Sequence, residues 1–335
     1  MSEKLRKKLL NYELKVFGTV GLQAHEYFQS KDNIQPLHYV KFGNPKNQAV
    51  LLVHGYGGSA ITFFRIIPEL MKHFYVIGVD LLGFGASERP EFIFDTFEKT
   101  IAFFTTSLVT LLNFLQIKNV IIIGHSLGGF ISTHLAALIK ERVVALFLVG
   151  AAGFTSKNFT DEEFEVMFGK ISKWYDVPTE IVVILNYLTF TKKIPLFNWA
   201  TENMKSDFVS AYFDTATLHL NREERELFVR YYKTVHKLGS CAHNSVWSLV
   251  KYGSYSEHPI IRVLTENPDL TVFIYYGEHE WLDIAHVRVE VSRVGLEKQF
   301  RLIKNCGHQV FMQNPTEVLQ QFYEDYKSIL KDLDV

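Results

Sequence analysis

A chain of 335 residues that is 47% hydrophobic and 21% charged, with a formal net charge of -1, can bury one large core and has no bulk attraction to nucleic acid or an acidic membrane. Its two cysteines, Cys241 and Cys306, are too far apart for a CxxC or zinc pattern and too few for a disulfide framework, so they read as reduced structural residues. No apolar run reaches the roughly 18 to 20 residues of a membrane span, and no secretory leader stands behind Lys4, Arg6, Lys7 and Lys8. The expectation is an intracellular protein, cytoplasmic or peripheral on a lipid surface.

At the start of the chain, Leu5, Leu9, Tyr12 and Val16 recur at helical spacing with lysines on the other face. Such a helix either docks on the domain, the preferred reading, or lies on a lipid surface. Residues 37 to 43 and 49 to 53 follow as strands across the turn signals Gly43-Asn44-Pro45. The second, Ala49 to Val53, is a continuous apolar run suited to a strand covered on both faces. It runs into His54-Gly55-Tyr56-Gly57-Gly58, which lacks the Lys-Ser/Thr ending of a P-loop and the spacing of GxGxxG, so a nucleotide site is discounted. A glycine-rich turn after a buried strand instead suits half of an oxyanion hole, with the Tyr56 N–H as donor and His54 fixing the turn.

Next come a helix over Thr62 to Lys72 and a strand over Phe74 to Val79 ending at Asp80, whose carboxylate is expected to brace the following loop through its amides. A long helix spans Phe94 to Gln116. Ile121-Ile122-Ile123-Gly124-His125-Ser126-Leu127-Gly128-Gly129-Phe130 then passes from a β-branched run through GxSxG into a helix-compatible stretch, the setting of a nucleophile elbow. The turn holds Ser126 in a strained conformation that needs small neighbours, supplied by Gly124 and Gly128. It also places the hydroxyl at a helix N-terminus, where the Leu127 N–H offers a second oxyanion donor. An apolar run from Val143 to Val149 continues the alternation, which argues a mostly parallel sheet with helices on both faces.

The rhythm changes after Gly150. Residues 153–256 read as an inserted helical cap, rich in aromatics such as Phe164, Trp174, Tyr187 and Trp199, most of them its own core and some available to line an apolar tunnel. The core is thus split into 1–152, carrying the N-terminal helix, and 257–335. His219, His236 and His243 have no spacing that suggests a metal, and neither metal nor other cofactor is expected.

The alternation returns with a strand over Leu270 to Tyr276, then Gly277-Glu278-His279-Glu280-Trp281-Leu282-Asp283, where the order nucleophile, acid, histidine calls for a carboxylate. Glu280 and Asp283 compete for it. A last strand, Gln299 to Ile303, leads to Asn305-Cys306-Gly307-His308, and His308 is placed to act as general base on Ser126.

These segments, together with Asp80-Leu81-Leu82-Gly83-Phe84-Gly85-Ala86-Ser87-Glu88-Arg89-Pro90 and Ala152-Gly153-Phe154, make the chain resemble an α/β-hydrolase. The closer resemblance is to the branch of animal abhydrolase-domain proteins four and five and their plant and fungal phospholipase relatives. It implies a serine hydrolase of lipid acyl esters, with Ser126 as nucleophile, His308 as base, and the Tyr56 and Leu127 amides as oxyanion donors. The animal members carry the acid six residues after the glycine, which favours Asp283, with Glu280 as the alternative. The branch often shows HxxxxD at the final histidine, linked to acyl transfer onto lysophosphatidic acid. Here the fifth residue after His308 is Gln313, which puts that activity in question. The expected partner is a small-molecule or lipid acyl ester, with peripheral contact to a lipid surface open and oligomeric state undetermined. Two rivals stand beside this reading: a peptidase or carbon–carbon hydrolase using the same three groups, and a non-catalytic lipid-binding regulator.

Overall fold

The structure is a computed structural model that describes residues 3–23, 27–29, 36–156, 219–238, 242–250 and 255–333. Its centre is a sheet of eight strands: β1 (Tyr27–Gln29), β2 (Tyr39–Phe42), β3 (Ala49–Val53), β4 (Tyr75–Val79), β5 (Val120–His125), β6 (Val143–Val149), β7 (Val272–Gly277) and β8 (Phe300–Ile303). They lie side by side in the order β1-β2-β4-β3-β5-β6-β7-β8. The first two strands pair antiparallel, as do β2 and β4, and every later pairing is parallel. Among the described helices are α1 (Glu3–Thr19), α2 (Ile67–Leu70), α3 (Phe97–Phe114), α4 (Leu127–Leu138), α5 (Arg222–Lys237), α6 (Val246–Leu249), α7 (Ile260–Glu266), α8 (Ile284–Arg293), α9 (Val310–Gln313) and α10 (Pro315–Leu333).

The apolar runs read as doubly covered strands divide their side chains between two cores, as a period of two requires. Val50, Leu52, Ile121, Ile123, Phe147 and Val149 point to one face, where α1, α5 and α10 cover them with Phe17, Phe228, Tyr231 and Phe322. Leu51, Val53, Ile122, Leu146 and Leu148 point to the other, under Phe104 and Leu108 of α3 and Ile131 and Leu135 of α4. Complete burial of β3, β4 and β5 follows from having helices on both sides.

The N-terminal helix is docked, not free: α1 buries Leu9, Val16 and Phe17 and packs against α5. Its buried face also holds Glu13, whose carboxylate meets His38 Nε2 at 2.9 Å. The helix expected over Thr62 to Lys72 is broken into a 3-10 turn, Ala60–Phe63, and the single turn α2, because Pro68 has no N–H for an unbroken ladder. α3 starts later than expected, at Phe97, where the Thr96 hydroxyl accepts from the Lys99 N–H and caps the helix. The cap assigned to 153–256 falls mostly on 157–218, outside the described residues. Of the described residues in that range, α5 lies against the sheet face and is tied there by Arg65, which donates to Glu224 at 2.6 Å and to the Met312 carbonyl at 3.0 Å. Among the described residues no helix is long and apolar enough to cross a membrane.

Candidate active site

All the parallel strands end at one edge of the sheet, and the loops leaving β3, β5, β7 and β8 bring the site together there. β5 passes directly into α4 at Ser126, whose φ of 54° and ψ of -123° lie outside the ordinary regions for an L residue. The turn closes only because its flanks are glycine. A Cβ on Gly124 would stand 2.6 Å from the Ser132 hydroxyl and 2.7 Å from the Gly129 Cα, and one on Gly128 would strike the Val53 and His54 carbonyls. The Ser126 N–H donates to the Val149 carbonyl at 3.0 Å, which anchors the elbow to β6.

The Ser126 hydroxyl lies 2.9 Å from His308 Nε2. His308 Nδ1 lies 2.9 Å from Oε1 and 3.0 Å from Oε2 of Glu280. Since a carboxylate only accepts, Nδ1 carries the proton and Nε2 is left to accept from the serine. The Glu280 side chain is wholly buried and His308 is 10% exposed. Oε1 also accepts from the Trp281 N–H at 3.0 Å, and the Trp281 ring stands 5.3 Å from the imidazole. The interaction of carboxylate with imidazole is therefore screened from water, where it is strongest.

The preference for Asp283 as the carboxylate facing His308 is corrected by this geometry. Asp283 is the N-cap of α8: its Oδ1 accepts from the His286 N–H at 3.2 Å, and its Oδ2 accepts from the Tyr255 hydroxyl at 2.9 Å. An acid standing immediately before a helical pattern is the ordinary signature of a cap, and that signal was present in the sequence. The earlier carboxylate, on the turn leaving β7, has the reach.

His54 braces the loop after β3, as expected from its place beside Gly55. Its Nδ1–H donates to the Gly55 carbonyl at 2.7 Å and its Nε2 accepts from the Leu81 N–H at 2.9 Å. Burial lowers its pKa to about 4, so the ring is neutral. Asp80 does what its position suggested. One oxygen accepts from the Ala60 N–H at 2.7 Å and the other from the Ala86 N–H at 2.8 Å, linking the glycine-rich turn to the loop after β4. Tyr56 sits in that turn with its ring 6.0 Å from Phe84, and the Leu127 N–H opens α4, where an amide has no acceptor within its helix. Cys306 is buried beside the His308 turn, and burial pushes its thiol up to about 12, so it is no rival nucleophile.

Two contacts at this site carried no sequence signal. The His125 ring lies 2.8 Å, through Nε2, from the His308 carbonyl, and the Gln313 side chain accepts from the Gly307 N–H at 2.7 Å.

The chain is similar to proteins of lipid and ester chemistry. A 1-acylglycerol-3-phosphate O-acyltransferase of Arabidopsis thaliana is 28% identical over 309 residues, covering 89% of this chain and 71% of that protein. The human (lyso)-N-acylphosphatidylethanolamine lipase is 23% identical over 269 residues, covering 79% of this chain and 75% of the other. Among solved structures, the naproxen esterase of Bacillus subtilis matches with a TM-score of 0.67 at 17% identity, over 97% of this chain and 99% of that one. The family model described as the alpha/beta hydrolase fold matches residues 48–315, and the chain belongs to that family.

Proposed function

We propose that the protein is a serine hydrolase of lipid acyl esters. The observation that carries the reading is the chain of contacts from Ser126 through His308 to Glu280, set at the elbow of β5 and α4. His308 Nε2 takes the Ser126 proton as Oγ forms a bond to the ester carbonyl carbon, and the carbonyl electron pair moves onto oxygen. The Tyr56 and Leu127 amides are the donors for that oxyanion. Its collapse breaks the bond to the alcohol, which leaves with the proton from His308. Water then attacks the acyl-enzyme, gives a proton to His308, and departs with the acyl group as a carboxylic acid while Ser126 regains its hydrogen. Glu280 holds the Nδ1 proton in place and offsets the imidazolium charge that each attack creates.

The lipid part of the reading draws on the DLLGFG and elbow segments shared with the resembled branch, and on the names of the plant and human relatives. The acyltransferase name of the plant relative favours testing a second acceptor. The hydroxyl of a 1-acylglycerol-3-phosphate can discharge the same acyl-enzyme in place of water. The experiment is labelling with a fluorophosphonate probe, followed by turnover on a panel of lysophospholipids, phospholipids, N-acyl phospholipids and aminoacyl amides, with Ser126→Ala as control. Labelling at Ser126 and loss of ester turnover in the control are expected. Unchanged ester turnover in Ser126→Ala overturns the assignment, absence of labelling favours a non-catalytic lipid binder, and turnover of the amides alone favours a peptidase.

A further inference from the structure

We infer that His125 and Gln313 are positioning residues that hold the general base by its main chain. His308 lies in a turn between β8 and α9, a segment with few backbone hydrogen bonds of its own, yet its imidazole must stay within 2.9 Å of Ser126. Glu317 and Asn314 hold the start of that turn at Lys304 and Glu278 holds it at Asn305, and two other side chains grip it at His308 and the residue before. His125 donates from Nε2 to the carbonyl of His308 at 2.8 Å, and Gln313 accepts from the N–H of Gly307 at 2.7 Å. A carbonyl only accepts, so His125 must carry its proton on Nε2. Burial, then the neighbouring His308, lowers the His125 pKa to about 3, which keeps the ring in its neutral form across working pH.

The two grips reach the turn from different elements. His125 is the last residue of β5 and the chain neighbour of Ser126, so the residue that grips the base is joined directly to the serine it faces. Its ring is wedged against the His308 ring at 4.9 Å and against Phe311 at 5.8 Å, which fixes its rotamer. Gln313 closes α9, whose Val310, Phe311 and Met312 are buried, so its amide is carried on an anchored turn. Neither side chain touches the serine, and each acts through where it holds His308. Five residues past the base, the position is thus filled by a hydrogen-bond acceptor to a backbone amide, which glutamine supplies.

This inference rests on His308 serving as the base, so its test has a readout that needs no substrate. The His308 Nδ1 proton, bound to Glu280, gives a low-field proton resonance identified by its loss in Glu280→Gln. His125→Phe keeps the ring and removes the donor, and Gln313→Leu keeps the shape and removes the acceptor. Both are expected to broaden or shift that resonance and to lower kcat roughly 10- to 100-fold, the scale of a misplacement near 1 Å, with KM within about threefold. His125→Gln and Gln313→Glu, which retain a donor and an acceptor, are expected to recover part of both. Folded variants with kcat within about twofold of the parent and an unmoved resonance, or a change confined to KM, overturn the inference. If His125→Phe does not fold, Gln313→Leu decides alone. If the parent turns over no ester, the hydrolase reading falls, while the resonance still decides whether the turn is clamped.

Discussion

Glu280 meets His308 with both carboxylate oxygens, at 2.9 and 3.0 Å from Nδ1, while Asp283 three residues on is committed to a helix start and a tyrosine hydroxyl. The two acids are separable by mutation. Glu280→Gln keeps the shape and loses the charge that fixes the imidazole, and should lower kcat by about 10³- to 10⁴-fold. Asp283→Asn should leave kcat within a few fold and weaken the fold by about 1 kcal/mol or less. Steady-state kinetics with chemical denaturation of both variants checks the assignment, and a severe kinetic loss in Asp283→Asn alone would reverse it.

Ser126 holds a conformation that glycine adopts freely and a residue with a Cβ adopts only under strain. Ser126→Ala keeps the strain and Ser126→Gly releases it, so the glycine variant should be the more stable of the two by about 1 kcal/mol. Thermal unfolding of the pair measures the difference. An alanine variant that is equally or more stable would show that the elbow is relaxed.

Among the described residues, buried His54 and His125 and half-buried His134 stay neutral in the fold. Burial lowers His54 and His134 to about 4 and His125 to about 3, against about 6.5 when unfolded. The unfolded chain therefore binds more protons than the native one below pH 6.5, so stability falls as pH falls, by about 1.4 kcal/mol per unit for each ring. Asp80, pushed up to about 6 by burial, works in the opposite direction and offsets one of the three between pH 6 and 4. The expected net loss over that interval is about 2–3 kcal/mol per pH unit, read from urea unfolding at stepped pH. A flat profile would contradict the neutral state of these rings.

The Glu13–His38 pair responds at the other end of the scale. Burial alone would lower His38, but the charge and hydrogen bond of Glu13, with Asp80 beyond, outweigh it and raise the pKa. A raised value means that the pair's contribution is fully present below about pH 6.5 and is lost as pH rises through the folded pKa. Glu13→Gln should destabilise the protein by about 3–5 kcal/mol at pH 6, with a smaller difference at pH 9. Denaturation of parent and variant at the two pH values checks the sign.

The sheet, the strained turn at Ser126 and the place of His308 beside it could be read from the sequence because each depends on a local pattern. β-branched runs, GxSxG before a helix and a glycine-preceded histidine after the last strand all declare themselves within ten residues. The choice between Glu280 and Asp283 depended on which carboxylate was already spent on a cap, and Tyr255, one of its partners, is remote in sequence. His125 and Gln313 were harder still. Each grips a backbone group, and a backbone group leaves no mark on the identity of the residue that carries it. Pro68 alone could have corrected the helix expected over Thr62 to Lys72. β1, three residues long, is too short for an alternation to show.

The docking of α1 on α5 sets an order for synthesis. Leu9, Val16 and Phe17 leave the ribosome first, but Phe228 and Tyr231, which help to cover them, follow about two hundred residues later. At about 5–20 residues per second that is an interval of roughly 10–40 s in which the apolar face of the first helix lacks this cover. The nascent chain thus carries this apolar face while about two hundred further residues are made. A chain shortened before Arg222 would lack that cover permanently, which exposes it to chaperones and aggregation.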